Sequence, residues 1–203
     1  MKFPKAAIVQ FAKRPHSGHV KTRLIPAIGA QAACELHQKL LAHNWQTLNA
    51  ASVAPIELWV DSAECSPFFN GLKPPASQLQ LQQGADLGQR MAYAVQQVLG
   101  RSEAVVLVGS DCPLLDGDYV AAAFQSLYGG ADVVLGPAED GGYVLIGMRR
   151  YLPQLFTDIS WGSDQVLQQT RAKLTVLNWH ELAPLWDVDR PGDLARLYEL
   201  ALF

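Results

Sequence analysis

Short apolar runs alternate with longer amphipathic segments along the chain. Runs without a polar face are typical of strands that are buried on both sides of a sheet. Such runs predict strands at 6–12, 56–60, 105–108, 131–135 and 143–147. An alternation of Gln and Leu at 78–83 and a short apolar run at 174–177 predict two further strands.

The segments between these runs carry apolar residues at steps of three and four, which is the period of an amphipathic helix. The clearest helix follows Gly29, and its predicted buried face consists of Ala33, Leu36, His37, Leu40, Leu41, Asn44, Trp45 and Leu48. Capping signals and periodicity predict further helices over 87–99, after Asp116, from Ser163 to Ala172, and after Asp189 with Pro191 in the first turn.

Strands that alternate with helices of ten or more residues indicate parallel pairing through crossover connections. We therefore predict an α/β fold, a Rossmann-like three-layer α/β/α sandwich around a mostly parallel sheet. The chain has 203 residues, of which 49% are hydrophobic, so it can bury a substantial core. Because neither a repeat nor a long linker divides the sequence, residues 1–203 are predicted to form a single domain.

The net charge and the cysteine content limit which classes of ligand and which cellular location we expect. The formal net charge of -3 provides no global cationic field, so nucleic acid is not an expected ligand. The first apolar run has seven residues, which is too few for a membrane span, and the start lacks the features of a secretory signal. Cys34, Cys65 and Cys112 lack metal-ligand spacing, and we interpret them as reduced thiols of a cytoplasmic protein.

A basic loop follows the first predicted strand. Within 13–23 it carries four cations, Lys13, Arg14, Lys21 and Arg23, and Gly18 shapes its backbone. Cations and exposed N–H groups at the carboxyl end of a strand, with a helix to follow, favour phosphate binding. The spacing is not that of a Walker loop. A solvated basic loop without a ligand is the alternative interpretation.

Acidic residues follow several predicted strands, at Asp61, Asp111, Asp140, Asp187 and Asp189. Magnesium and manganese prefer oxygen ligands and often use one or two carboxylates, with phosphate oxygens and water completing the shell. Asp111 with Asp187 or Asp189 would suffice. Two structural alternatives stay open, because Asp111 could cap a turn and Asp189 stands where a helix N-cap is expected.

The segment 139–143 places two glycines after two acids, which allows either close backbone approach to a ligand or a tight turn. His37 lies on a helical apolar face and is predicted to be a packed core histidine. Cys112, beside Asp111, is interpreted as a small buried thiol rather than a nucleophile.

Several stretches together resemble one protein family, namely 11–15, 18–24, 84–91, 109–113, 135–143 and 187–194. They cover almost the whole chain in order. The family comprises small bacterial GT-A-type glycosyltransferases, formerly of unknown function, often called arsenosugar-biosynthesis or radical-SAM/selenodomain-associated transferases. Arg190 and Gly192 stand where Thr and Glu are usual in that family, and Gln89 stands where Glu is usual. These departures point to altered substrate choice rather than to loss of function.

The resemblance implies the nucleotide-diphospho-sugar transferase fold. It implies a magnesium or manganese site at Asp111 with Asp187 and Asp189. The nucleotide and diphosphate residues it implies are Lys13, Gly18, Lys21, Thr22, Arg23, Asp86 and Arg90. The acceptor or sugar residues it implies are Glu139, Gly141, Gly142 and Tyr143, and the catalytic acids are Asp111 and Asp140.

The expected reaction is metal-dependent transfer of a sugar from a nucleotide-sugar donor to a small-molecule acceptor. The cation, with Lys21 and Arg23, would offset the charge that develops on the departing diphosphate. Asp140 would take the proton of the acceptor hydroxyl. Two alternatives stay open: a nucleotidyltransferase that releases pyrophosphate from a nucleoside triphosphate, and a non-catalytic nucleotide-binding module.

Overall fold

The computed structural model describes residues 1–62, 67–72 and 78–202. The strands are β1 (Ala6–Ala12), β2 (Ile56–Val60), β3 (Leu79–Leu81), β4 (Ala104–Val108), β5 (Val133–Pro137), β6 (Tyr143–Met148) and β7 (Trp179–Glu181). The α-helices are α1 (Ile25–Ile28), α2 (Ala30–Ala51), α3 (Pro67–Leu72), α4 (Leu87–Leu99), α5 (Gly117–Tyr128), α6 (Val166–Ala172) and α7 (Asp193–Glu199).

The seven strands form one sheet with the spatial order β3-β2-β1-β4-β6-β5-β7. The sheet is mostly parallel, as predicted, but β6 runs antiparallel to both β4 and β5. The expectation of parallel pairing through crossovers is therefore wrong at this point. Only five residues, 138–142, separate β5 from β6, and such a link is too short for the crossover that parallel neighbours need.

Apolar clusters fill the space on both faces of the sheet, which confirms the three-layer sandwich. One face packs against α2 and α5 through residues such as Trp45 and Phe124. The opposite face packs against α4 and the segment after β6 through residues such as Met91 and Leu155. A third cluster joins α2 to α7 and includes Val188, so it holds the acidic 187–189 segment against the body of the protein.

Most predicted elements are confirmed to within a few residues, one predicted strand is wrong, and two helices begin later than predicted. The apolar run 174–177 is not a strand: Leu174 is buried in the core, while the pairing partner of β5 is β7 at Trp179–Glu181. The helix predicted from Ser163 begins at Val166, and the Ser163 hydroxyl belongs to the preceding turn, where it donates to the Ser160 carbonyl and accepts from the Gln165 N–H. The last helix begins at Asp193, beyond Pro191.

The predicted irregular stretch between β2 and β3 contains α3, and the rest of it, Cys65 included, lies outside the described residues. Cys34 and Cys112 are free and buried, as interpreted from the sequence. Across the described ranges, the helices are too short or too polar to cross a bilayer.

Candidate active site

The loops that follow β1 and β4 flank the position where the strand order reverses, which is where open α/β sheets bind ligands. Two adjoining cavities open at this edge, one of about 660 Å³ and one of about 310 Å³. Both volumes lie in the range of small-molecule sites. We refer to them as the larger cavity and the smaller cavity.

Asp111 lines both cavities and is anchored through one carboxylate oxygen. Its buried Oδ1 lies 2.8 Å from the Lys21 Nζ and 3.8 Å from the His37 Nδ1, while the side chain as a whole is 42% exposed. Burial opposes ionisation of Asp111, but the Lys21 ammonium and His37 outweigh it and hold the pKa of the carboxyl well below its ordinary value. Asp111 therefore presents a fixed negative charge to both cavities.

Lys21 connects three segments of the chain. Its side chain is 2% exposed, and its backbone has a φ of 48°, in the left-handed region. Besides its ion pair with Asp111, Nζ donates a hydrogen bond to the Val188 carbonyl, and the Val188 N–H donates to the Asp111 carbonyl. Lys21 thus positions Asp111 against the 187–189 segment. Its contact with a diphosphate stays a prediction.

His37 is buried, as the sequence predicted, but it also has partners at the site. Its Nε2 donates a hydrogen bond of 3.0 Å to the carbonyl of Lys13, while Nδ1 faces Asp111. The ring therefore links the start of the basic loop to the acid that follows β4.

Asp189 is not the N-cap that its sequence position suggested. The Asp193 carboxylate accepts the hydrogen bonds from the N–H groups of Asp189 and Arg190 instead. The Asp189 side chain forms an ion pair with Arg23, whose guanidinium also donates to the Gly162 carbonyl. Asp189 and Arg23 both line the two cavities, so this pair lies where the cavities meet.

Asp187 lies in the smaller cavity near three other acids. Burial raises the pKa of Asp187 to about 7, and the negative charges of Asp140 and Asp111 reinforce the shift. Within the described part of the chain, Asp187 has no ion pair with Lys, Arg or His, unlike Asp111 and Asp189. The carboxylates at this point are therefore incompletely neutralised by the protein.

This donor set fits a hard divalent cation that is shared with a ligand. Carboxylate oxygens are suitable donors for magnesium or manganese. The described residues contain no cluster of three or more His, Cys, Asp or Glu arranged to hold a metal. Since magnesium is commonly bound through one or two carboxylates together with substrate phosphates, the arrangement suits a site that a phosphate-bearing ligand completes.

The larger cavity contains most of the predicted nucleotide residues. Among its lining residues are Lys13, Lys21, Thr22, Arg23, Asp86 and Arg90. Gly18 is exposed and does not line it; its φ of +86° serves the turn. Asp61, the remaining acid at a strand end, accepts a hydrogen bond of 2.7 Å from the Arg14 N–H and so supports the loop.

Asp86 has a structural task in addition to its place at the larger cavity. It is the N-cap of α4, where its Oδ1 accepts from the Gln89 N–H at 2.8 Å and its Oδ2 from the Gln89 side-chain amide at 3.1 Å. The Gln89 amide oxygen accepts from the Ala85 N–H in return. Gln89, which stands where the resembled family has Glu, therefore completes a capping arrangement.

The predicted acceptor residues separate into two groups. Asp140, Gly142 and Tyr143 line the smaller cavity, and the Asp140 carboxylate accepts the Gly142 N–H at 2.9 Å. Glu139 lies outside that lining and pairs with Arg196 at 2.8 Å. Gly141 is required by the fold, because its φ is +92° and a Cβ there would lie 2.2 Å from the Asp164 carbonyl oxygen.

Sequence reasoning identified Tyr143 as an acceptor residue but missed the rest of the apolar wall of the smaller cavity. This wall includes Phe11, Leu87, Met91, Tyr143 and Trp161. Its members come from β1, α4, β6 and the loop before α6, so no local spacing connects them. Cys112, by contrast, matches its interpretation: burial raises its pKa to about 12, which excludes an activated thiolate.

Comparison with known proteins identifies the fold family. The profile of a family described as "Uncharacterized protein conserved in bacteria (DUF2064)" matches residues 44–163. The search of curated proteins finds no match. A crystal structure from Desulfovibrio desulfuricans G20, provisionally named a nucleotide-diphospho-sugar transferase, has a TM-score of 0.89 at 34% sequence identity. That comparison covers 97% of this chain and 87% of the Desulfovibrio chain.

More distant structures share the fold. The CTP complex of CMP:2-keto-3-deoxy-manno-octonic acid synthetase has a TM-score of 0.62 at 14% identity, over 97% of this chain and 98% of the synthetase. A manganese complex of a protein from Mycobacterium tuberculosis H37Rv has a TM-score of 0.58 at 16% identity, over 96% and 97% of the two chains. The present chain therefore belongs to the DUF2064 family and has the fold of the nucleotide-diphospho-sugar transferases.

Proposed function

We propose that this protein is a metal-dependent glycosyltransferase that moves a sugar from a nucleotide-sugar donor to a small-molecule acceptor. The supporting observation is that two cavities of different character share one boundary. Six residues line both cavities: Phe11, Arg23, Leu87, Gly109, Asp111 and Asp189. A group bound at that boundary is within reach of ligands on both sides.

The larger cavity suits the nucleotide diphosphate of the donor. Lys13, Arg23 and Arg90 place positive charge on its lining, in a protein whose net charge is negative. The distant relatives that were crystallised with CTP and with manganese support a nucleotide and a divalent cation here. A bound cation would supply positive charge to a departing diphosphate, and Asp111 with Asp187 or Asp189 would hold it.

Three residues of the protein would have separate roles in the transfer reaction. Lys21 keeps Asp111 ionised and in place, and Arg23 offers guanidinium N–H groups at the boundary where the leaving group forms. Asp140, in the smaller cavity, would accept the proton of the acceptor hydroxyl as that oxygen attacks the sugar.

The decisive experiment measures hydrolysis and transfer from a panel of nucleotide-sugars in the presence of Mn²⁺. Asp111→Ala should lower turnover by at least about 100-fold, as loss of a charge-stabilising group does. Asp116→Ala is the matched control: it removes the α5 N-cap, costs about 1 kcal/mol of stability, and should retain turnover. Absence of both donor binding and turnover in the wild type would refute the proposal.

Nucleotidyl transfer is the second candidate, because cytidylyltransferases are among the proteins that share the fold. In that reaction the acceptor attacks the α-phosphate of a nucleoside triphosphate and pyrophosphate leaves. Pyrophosphate release from each triphosphate, assayed beside the nucleotide-sugar panel, separates the two reactions. Membership of the arsenosugar-biosynthesis or radical-SAM/selenodomain-associated group, and a cytoplasmic location, stay predictions.

A further inference from the structure

The smaller cavity has an apolar wall that a diphosphate does not need. Trp161 and Tyr143 meet edge to face, with ring centroids 6.3 Å apart and planes at 87°. Leu87 continues this wall and is 45% exposed, so its side chain is accessible to a ligand in the smaller cavity.

The wall is built into the fold. A Cβ at Gly88, in the first turn of α4, would lie 2.4 Å from the Trp161 Nε1, so the indole occupies space that a glycine leaves. The Tyr143 hydroxyl oxygen is buried and has no hydrogen-bond partner among the described residues. Burial raises the pKa of Tyr143, so its phenol stays protonated at neutral pH.

The charges around this wall are predominantly negative. The carboxylates of Asp111, Asp140, Asp187 and Asp189 line the smaller cavity, and of the described lining residues Arg23 alone is a cation. Arg23 is already paired with Asp189. A cation held by Asp111 with Asp187 or Asp189 would offset part of this charge, whereas Asp140 is not among those metal ligands and would still repel a phosphate or carboxylate group placed beside it.

We propose, building on the function proposed above, that the acceptor carries an apolar or aromatic face and no negative charge, and that positive charge improves its binding. The apolar face packs against Trp161, and Asp140 attracts the charged or hydroxyl-bearing end. Aromatic side chains with a few placed polar groups are the usual composition of such a pocket. Trp161 is thus assigned to substrate specificity and Asp140 to the charge preference.

A matched series of probes tests the charge rule. 4-Nitrobenzylamine, 4-nitrobenzyl alcohol and 4-nitrobenzoate share one ring and differ in charge, and their binding is measured by calorimetry and tryptophan quenching with Mg²⁺ present at saturation, so that the amine does not take the place of the cation. We expect the amine to bind at least tenfold more tightly than the benzoate, with the alcohol between them. Asp140→Asn should remove most of the preference of the amine over the alcohol. Tightest binding by the benzoate would overturn the proposal.

Variants of Trp161 test the location. Trp161→Ala should weaken amine binding at least tenfold, whereas Trp161→Phe should stay within about threefold of the wild type because it keeps an aromatic face. Trp179→Ala, in β7 and outside the described lining of the smaller cavity, should bind like the wild type. Thermal unfolding of each variant identifies those that fail to fold. Equal affinity of wild type and Trp161→Ala would place the probes elsewhere and refute the assignment.

Failure of this inference can be told from failure of the proposed reaction. If nucleotide-sugars bind and turn over but the benzoate binds best, the acceptor class is wrong and the reaction stands. If the amine binds at Trp161 while no nucleotide-sugar binds or reacts, the pocket assignment stands and the proposed reaction is wrong.

Discussion

Asp111 and Asp187 both line the smaller cavity, but the protein treats their charges differently. Asp111 contacts the buried ammonium of Lys21 and faces His37, and its pKa is depressed. Asp187, in the same cleft, has a pKa raised to about 7 by burial and by neighbouring carboxylates. Among the described residues, Asp111 therefore has a cationic partner inside the fold, whereas Asp187 has none.

This difference suggests two tasks for the carboxylates: a paired carboxylate keeps the site in order, and an unpaired carboxylate is suited to binding a cation. A carboxylate paired inside the fold is already ordered before any ligand arrives, which lowers the cost of organising the site. A carboxylate crowded by like charges destabilises the empty site and gains most when a cation binds.

Replacing Lys21 by Met should remove the cation that holds Asp111 in position. The variant keeps a similar shape but leaves the Asp111 Oδ1 without its ammonium, so donor turnover should fall at least about 100-fold. Stability should fall by about 2 kcal/mol, less than for a fully buried pair because Asp111 is partly exposed. Steady-state kinetics and urea unfolding measure the two effects.

Lys5→Met is the control for Lys21→Met. Lys5 forms an exposed ion pair with Glu103 at 3.0 Å, so its loss should alter stability far less and leave turnover unchanged. If the two lysine variants behave alike, the buried pair has no special role.

Substituting Gly141 should distort the link between β5 and β6, which carries Asp140. Gly141→Ala combines a left-handed φ with a steric clash against the Asp164 carbonyl, and we expect a loss of about 3 kcal/mol. Gly18→Ala has a similar φ of +86° but meets nothing within 4 Å, so about 1 kcal/mol is expected. Chemical unfolding curves for the two variants give the comparison, and equal losses would mean that contact with Asp164 is unimportant.

Asp187→Asn should stabilise the cation-free protein at pH 8 by about 1 kcal/mol, because it removes an incompletely neutralised charge. The folded pKa lies above the ordinary value, so ionisation of Asp187 costs stability as pH rises from about 4 through 7. The gain should therefore shrink towards pH 4. Thermal unfolding at both pH values, with and without Mn²⁺, checks this, and added Mn²⁺ should stabilise the wild type more than the variant.

Glu139→Gln should have the smallest effect. Glu139 pairs with Arg196 on the exposed surface and lies outside the described lining of the smaller cavity. Acceptor KM and turnover should therefore match the wild type. A raised acceptor KM would mean that Glu139 contacts the acceptor, and that the acceptor site extends beyond the lining of the smaller cavity.

Elements with strong local signals could be predicted from the sequence. The bounds of β1 and β2 match the apolar runs, and Asp116 caps α5 as its position suggested. The run 174–177 failed as a strand because apolar character indicates burial, and Leu174 is buried without pairing. The reversal of β6 follows from loop length, which periodicity does not report.

The site was predictable in its residue types and less so in its contacts. Acids and cations at strand ends indicate charge chemistry, but the partners of Lys21 depend on tertiary packing, since Val188 is 167 positions away. Trp161 had no signal at all, because its role depends on the space left by Gly88 and on α4 lying beside it.

That separation of 167 positions also has a consequence for synthesis of the chain. At ribosomal rates of about 5–20 residues per second, Lys21 emerges roughly 10–30 seconds before Val188 can accept its hydrogen bond. The early strands can pair during that interval, whereas the lining of the two cavities is complete only after residues 187–189 have been synthesised. A nascent chain that stalls before this point should therefore bury much of its core yet be unable to retain a nucleotide.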